Sequence, residues 1–370
     1  MYEHEGLKDI FFIMLYGGAT LLAIVACCYL LLTHGNMFLA SVRSPRKLRW
    51  WAAAFMAAVA ASHLWWVLLG IHWLEDDRLV RNIVAITLDR LTFVPLMMCV
   101  LLRMLQDRHR PLWPIAVVMV PIAVLAVICI VRRDTAFEMY TEWYSIAIGV
   151  VFTIYYVHAV RQHGQWLHEN YADLEHKEVW QSLLLMAFIL LVYVAYTSNE
   201  GNLVTEYLAQ VNTLIIIGFV LWRIETLQQL DDSVDEETEE SPAVNVIRNS
   251  PASVNIGELL QKRCEATQLY LQHELTLQQL AIAIGTNRTY LGNYFAQQGI
   301  TYNAYINHLR IEYFIRLDRE SSKTSSTLTA KAIAQQSGFR SYITFSAVFK
   351  KIIGTTVTEW IKSEEENRLP

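Results

Sequence analysis

The sequence predicts an all-α protein in two parts: a seven-transmembrane-helix bundle, then a cytoplasmic domain with two helix-turn-helix motifs. Three observations predict it. Of the 370 residues, 54% are hydrophobic, and the mean hydropathy of +0.27 is above what a soluble protein of ordinary surface polarity shows. The apolar excess is uneven: long apolar runs fill residues 1–222, whereas 223–370 has the mixed composition of a soluble domain. Finally, one short pattern of Thr, Ala, Gly and apolar residues occurs twice between Thr276 and Trp360.

The first part is predicted to cover residues 1–223, with spans at about 10–32, 50–70, 82–104, 112–131, 142–160, 179–198 and 203–222. The acidic start (Glu3, Glu5, Asp9) lacks the basic region of a signal peptide. Trp50, Trp51, Trp73, Trp113, Trp143, Tyr144 and Trp222 stand near span ends, as expected at membrane interfaces. Alternate loops hold ten basic residues (among them Arg43, Arg46, Lys47, Arg49, Arg108, Arg110 and Arg223), against five on the other side. The basic side is expected to be cytoplasmic, so the N-terminus lies outside and the C-terminus inside.

Ionisable groups within spans are costly and suggest function. His63, Asp89 and Arg90 fall within spans, and Tyr193, Tyr196 and Glu142-Trp143-Tyr144 could share their level. One reading is an outward-opening sensor pocket. The other is that Asp89 or Arg90 pairs with His63 or another helix and only fixes packing. His158 reads as structural, and Gly17-Gly18 as a close helix contact. The five cysteines have no metal-ligand or disulfide spacing and read as small hydrophobes. No catalytic set stands out, so no enzyme activity, metal or cofactor is expected.

Residues 224–255 read as a helix extension and an acidic linker. Ile224, Leu227 and Leu230 suggest that the last span continues into the cytoplasm. Asp231, Asp232, Asp235, Glu236, Glu237, Glu239 and Glu240 follow, between the span and Pro242. The run is either a solvated spacer or a competitor with DNA for a basic face. Residues 256–363 form the C-terminal domain, and 364–370 an acidic tail.

The repeated pattern is a helix-turn-helix signature. The first copy has Thr276, Leu280-Ala281, Gly285, Leu291, Phe295, Gly299 and Tyr305; the second has Thr329, Ile333-Ala334, Gly338, Phe345, Phe349, Gly354 and Trp360. Thr caps a first helix through its side-chain oxygen, and Gly supplies the left-handed turn that ends it. The second helix buries apolar residues four apart and leaves its other face for a DNA major groove. These recognition helices are predicted at about 287–298 and 341–351, with Asn287 and Ser341 as N-caps. Between Gly257 and Ser363, twelve basic residues face seven acidic ones, a local +5 in a chain of −5, which suits a polyanion.

On these residues, and on Ser337-Gly338-Phe339 and Val348-Phe349-Lys350-Lys351, residues 255–363 resemble the DNA-binding domain of the AraC/XylS family of bacterial transcription regulators. The resemblance implies base contacts at Thr289, Gly292 and Asn293, and at Tyr342, Ile343, Ser346 and Ala347. Asn293 suits adenine, and Ile343 and Ala347 suit thymine methyls. Arg288, Arg340, Lys350 and Lys351 are the expected phosphate contacts. Gly292 and Ala347 lack the polar side chains often used there, Val357 stands where the family usually has Pro, and the Phe295–Gly299 turn is one residue short.

The whole chain therefore reads as a membrane-embedded one-component transcription regulator of a bacterial inner membrane, with the seven-span part as signal sensor. The alternatives keep the DNA-binding domain and make the membrane part an enzyme, a transporter or a passive anchor. Expected partners are double-stranded promoter DNA, the lipid bilayer, a small-molecule or envelope signal, a second copy in a homodimer, and RNA polymerase if the protein activates.

Overall fold

A computed structural model describes residues 7–33, 36, 43–70, 77–187, 189, 203–230, 255–323 and 328–366. Among these, the secondary structure is helical and contains no strand. The chain divides into two compact units: residues 1–164 with 176–230, and residues 165–175 with 231–370.

The first unit contains α1 (Leu7–Leu32), α2 (Arg46–Gly70), α3 (Arg78–Met104), α4 (Trp113–Arg132), most of α5 (Glu138–Asn170), and α6 (Leu203–Thr226). Six stretches of these helices are long and apolar enough to cross a membrane. Half of the span expected at about 179–198 lies outside the described residues; 181–187 and 189 are helical. Consecutive helices α1 to α4 pack on their neighbours, and α6 packs on α1 and α2.

Small residues let these helices approach. Ala19, Ala23 and Ala26 of α1 and Ala52 and Ala53 of α2 are buried, around Phe55, Met56, Ile217 and Val220. The opposite faces are apolar too: Val117, Val120, Val124 and Val127 of α4 and Val150, Val151 and Ile154 of α5 are exposed. An inside as apolar as the outside is what a lipid solvent permits and water does not. Among the described residues, Gly17 and Gly18 make no close helix contact, since a Cβ at either meets nothing within 4 Å.

The last span ends earlier than its apolar spacing suggests. The helix α6 stops at Thr226, and residues 227–230 are not helical. Tertiary partners take over the backbone there: Gln228 N–H donates to His176 O (2.8 Å) and Gln229 N–H to Arg43 O (2.6 Å). Leu230 N–H donates to the Gln106 side chain (2.9 Å), and Leu227 and Leu230 are buried. Beside them, Glu225 forms a 2.7 Å ion pair with Arg49 at the start of α2, with both side chains buried. The Asp107 carboxyl is also buried, which raises its pKa, but hydrogen bonds from His163 and Arg110 outweigh this and hold it well below the usual carboxylate range.

Besides residues 165–175, the second unit contains α7 (Ile256–Leu260), a π turn (Gln261–Glu265) and a 3-10 turn (Leu269–Leu271). It continues with α8 (Leu277–Ile284), α9 (Arg288–Gln297), α10 (Tyr302–Lys323), α11 (Ala330–Gln336), α12 (Tyr342–Ile353) and α13 (Val357–Glu366). The acidic run 231–240 and the rest of 231–254 lie outside the described residues. Two cores flank α10. The first gathers Leu277, Leu280, Ala281, Leu291, Phe295 and Ile306; the second gathers Phe314, Ile333, Phe339, Phe345 and Phe349. Cys264 belongs to the first as a small hydrophobe, and burial pushes its thiol up to about 12.

Candidate nucleic-acid interface

Each half of the second unit is a capped helix, a left-handed turn and a second helix. Thr276 caps α8 in a reciprocal capping box: its hydroxyl accepts from Gln279 N–H (3.2 Å), and the Gln279 side chain accepts from Thr276 N–H (3.0 Å). Gly285 closes α8 at φ 85°, and Asn287 caps α9 by accepting from Tyr290 N–H at 2.8 Å. In the second half Thr329 caps α11, Gly338 turns at φ 89°, and Ser341 caps α12. Leu291 and Phe295 bury the inner face of α9, and Phe345 and Phe349 that of α12.

Thr289, Asn293 and Ala296 are exposed on α9, and Gly292 is half-buried. On α12, Ile343 is 83% exposed. Ala347 is exposed, Ser346 is half-buried, and Tyr342 leans its ring on Phe345 (5.6 Å between centroids). Lys350 and Lys351 are exposed in the last turn of α12. The other two expected phosphate contacts have protein partners: Arg340 pairs with Glu274, and Arg288 Nε donates to Asn170 Oδ1 at 3.0 Å.

The halves are locked to each other at one point. Arg310 of α10 is fully buried, donating from Nε to Tyr270 O and from Nη2 to Gln272 O, each at 2.8 Å. Its guanidinium lies 5.7 Å from the Phe339 ring centroid. Gly338 sits against it, so that a Cβ there would come within 2.8 Å of Leu271 O and 3.0 Å of Arg310 Nε. His273 Nδ1 meets Gly338 O at 3.0 Å. The turn of the second motif is thus held by the segment leading into the first, which fixes the two recognition helices within one body.

Val357 starts α13 where the family pattern has Pro. Thr356 and Glu359 form a second reciprocal capping box there (2.9 and 3.3 Å), which supplies the N-terminal order that Pro would otherwise bring.

Sequence reasoning missed residues 165–175. Their place between spans marks them as a connecting loop, but α5 runs on to Asn170, and the segment folds with the second unit. Asp173 accepts from Arg310 Nη1 (2.9 Å) and Glu274 N–H (2.9 Å). Tyr171 bridges Thr276 in antiparallel fashion. One signal was available: Glu169, Asp173 and Glu175 make this the acidic stretch of an otherwise basic-side loop.

In the first unit, the described residues of the expected sensor set, His63, Asp89 and Arg90, bond to different neighbours. Asp89 accepts from Ser62 Oγ (2.6 Å) and Trp66 Nε1 (2.8 Å) of α2. His63 bonds Val59 O (2.8 Å) and Gln210 Oε1 (2.9 Å), against the Tyr16 ring. Neither Asp89 nor Arg90 hydrogen-bonds His63; each bonds another helix, the other pairing that the sequence allows. Arg90 turns away to Thr141 Oγ1 (3.1 Å), lining a small cavity with Cys129 and Glu138. Tyr193 and Tyr196 lie outside the described residues. His158 meets Gln162 on its own helix at 2.9 Å. Among the described residues, no cluster of His, Cys, Asp or Glu could hold a metal.

Residues 280–363 match the family model of a helix-turn-helix domain, of AraC type. The match covers most of both motifs and begins inside α8. No curated protein and no solved structure matches the chain significantly. The second unit thus carries an AraC-type helix-turn-helix domain, which supports a DNA-binding transcription regulator.

Proposed function

We propose that the protein is a one-component transcription regulator embedded in a bacterial inner membrane, its C-terminal domain in the cytoplasm and its membrane helices acting as the sensor. The observation that carries this is the pair of capped recognition helices in one compact unit, on a chain whose described residues include six helices apolar enough to cross a membrane. The excess of basic residues on one side of the spans supports a location of that body in the compartment that holds DNA.

Thr289 and Asn293 on α9, and Ile343, Ser346 and Ala347 on α12, meet bases. Asn293 is the group best suited to a bidentate pair with adenine, and the exposed Ile343 to a thymine methyl. With Gly292 and Ala347 offering no hydrogen bond, DNA shape carries much of the specificity. Lys350 and Lys351 hold phosphates, with Arg288 and Arg340 joining as they leave their protein partners. A signal reaching the membrane helices alters DNA affinity, a second copy in a homodimer multiplies it, and RNA polymerase is the further partner of an activator.

The test is selection of bound duplexes from a random library by the full-length protein in lipid nanodiscs. One enriched sequence is expected, with its adenine preference relaxed by Asn293→Ala. Uniform recovery of all sequences at physiological salt contradicts the reading.

A further inference from the structure

The cytoplasmic stretch between the fifth and sixth predicted spans makes more contacts with the second unit than a connecting loop needs. Residues 165–175 belong to that compact unit, although the chain on either side belongs to the first. Leu167, Asn170, Tyr171, Ala172 and Asp173 are buried there, and Ala172 is part of the first motif's hydrophobic core. The backbone is engaged as well: Ala172 N–H donates to Leu275 O (3.2 Å). Asn303 Nδ2 donates to Tyr171 O (3.2 Å) and Ala172 O (2.6 Å). Asp173 supplies the carboxylate that pairs with fully buried Arg310. Its charge is complementary too: three acidic residues on a domain of local charge +5.

We propose that the surface formed by Leu275, Thr276, Arg288, Asn303 and Arg310 is a docking site for the chain's own 165–175 segment, which completes the DNA-binding domain in cis and ties it to the membrane helix α5 independently of the 231–255 linker. Two features select this occupant. A buried guanidinium needs a buried carboxylate, and Asp173 provides it from 137 residues away. The segment is also part of the same chain and continuous with α5, so it meets the site intramolecularly. The segment grips α9 at Arg288 and α8 at Thr276, so a shift of α5 acts directly on the first motif. This regulatory consequence rests on the DNA-binding reading; the docking itself does not.

The experiment uses the full chain in nanodiscs, with a site-specific protease sequence inserted between residues 240 and 250. After complete cleavage, size exclusion shows whether the C-terminal body stays with the membrane part. The expected result is retention, with Asp173→Ala and Asn303→Ala each raising the dissociation rate at least tenfold. Asp173→Ala can also unfold the body; Asn303→Ala removes two bonds to backbone carbonyls and the one it accepts from Asn307 Nδ2, and circular dichroism of the released body confirms that it is folded. Immediate release of the wild-type body overturns the proposal, and so does retention that neither substitution changes. A body that is retained but selects no DNA sequence would contradict the functional reading and leave the docking intact.

Discussion

Arg310 and Asp173 form an ion pair of 2.9 Å in which the arginine side chain is wholly buried and the aspartate is 7% exposed. Its Nε and Nη2 donate to two backbone carbonyls, so each nitrogen of the guanidinium has a partner. Such a pair adds little net stability as a pair, but removing one partner strands a charge in the interior. Asp173→Ala is expected to cost the C-terminal domain about 3–5 kcal/mol. Hydrogen exchange at residues 270–276 and 302–314 in the full-length protein reads the loss. The double variant Asp173→Leu/Arg310→Met is expected to recover most of it.

Two glycines on the DNA-binding domain should respond oppositely to alanine. Gly338 is at φ 89°, with Leu271 O at 2.8 Å from any Cβ, so Gly338→Ala adds a clash to the roughly 1–2 kcal/mol of the left-handed backbone. Gly292 lies inside a helix, where a Cβ would meet Leu277 at an ordinary 3.8 Å. Gly292→Ala is therefore expected to stabilise by about 0.5–1 kcal/mol. Thermal unfolding of the two variants gives shifts of opposite sign.

Base and phosphate contacts separate by their salt behaviour. Asn293 and Ile343 are exposed, so Asn293→Ala and Ile343→Ser leave stability within about 0.5 kcal/mol. Each is expected to cost about 1–3 kcal/mol of affinity at its own base position. Lys350→Gln instead weakens binding to all sequences and lowers the salt slope by about 1. Fluorescence anisotropy between 50 and 200 mM salt, a window of about 10³–10⁵ in affinity for a many-phosphate contact, distinguishes the two classes.

Glu359 gives the cap of α13 a pH dependence. The hydrogen bond from Thr356 N–H, then that with its side chain, holds this carboxyl below its ordinary 4.5. A depressed folded pKa contributes stability that is present above the unfolded value and lost as pH falls through the folded one. The first turn of α13 is therefore expected to fray on acidification from pH 5 downward, and Glu359→Gln to remove that dependence. The Thr356 amide shift in a pH titration by NMR reports it.

What was legible in the sequence was local. Gly285 and Gly338 announce left-handed turns because other residues are strained there, and Thr276, Asn287, Thr329 and Ser341 announce the helix starts they cap. Phe345 and Phe349 share an inner face through their spacing of four. What was not legible was long-range. Ile224, Leu227 and Leu230 keep a helical spacing, yet the helix ends at Thr226 because His176, Arg43 and Gln106 take its backbone groups. Asp89 and Arg90 are adjacent in sequence, and adjacent helical residues face different neighbours: Asp89 meets α2 and Arg90 meets α5. Asp173 carries no local sign that its partner is Arg310.

The most direct test is genome-wide DNA occupancy of the intact protein beside a variant carrying Asn293→Ala and Ser346→Ala. The account predicts discrete peaks near promoters, sharing one sequence and lost in the variant while the protein remains in the membrane. Occupancy without discrete peaks, or peaks unchanged by the two substitutions, would contradict it.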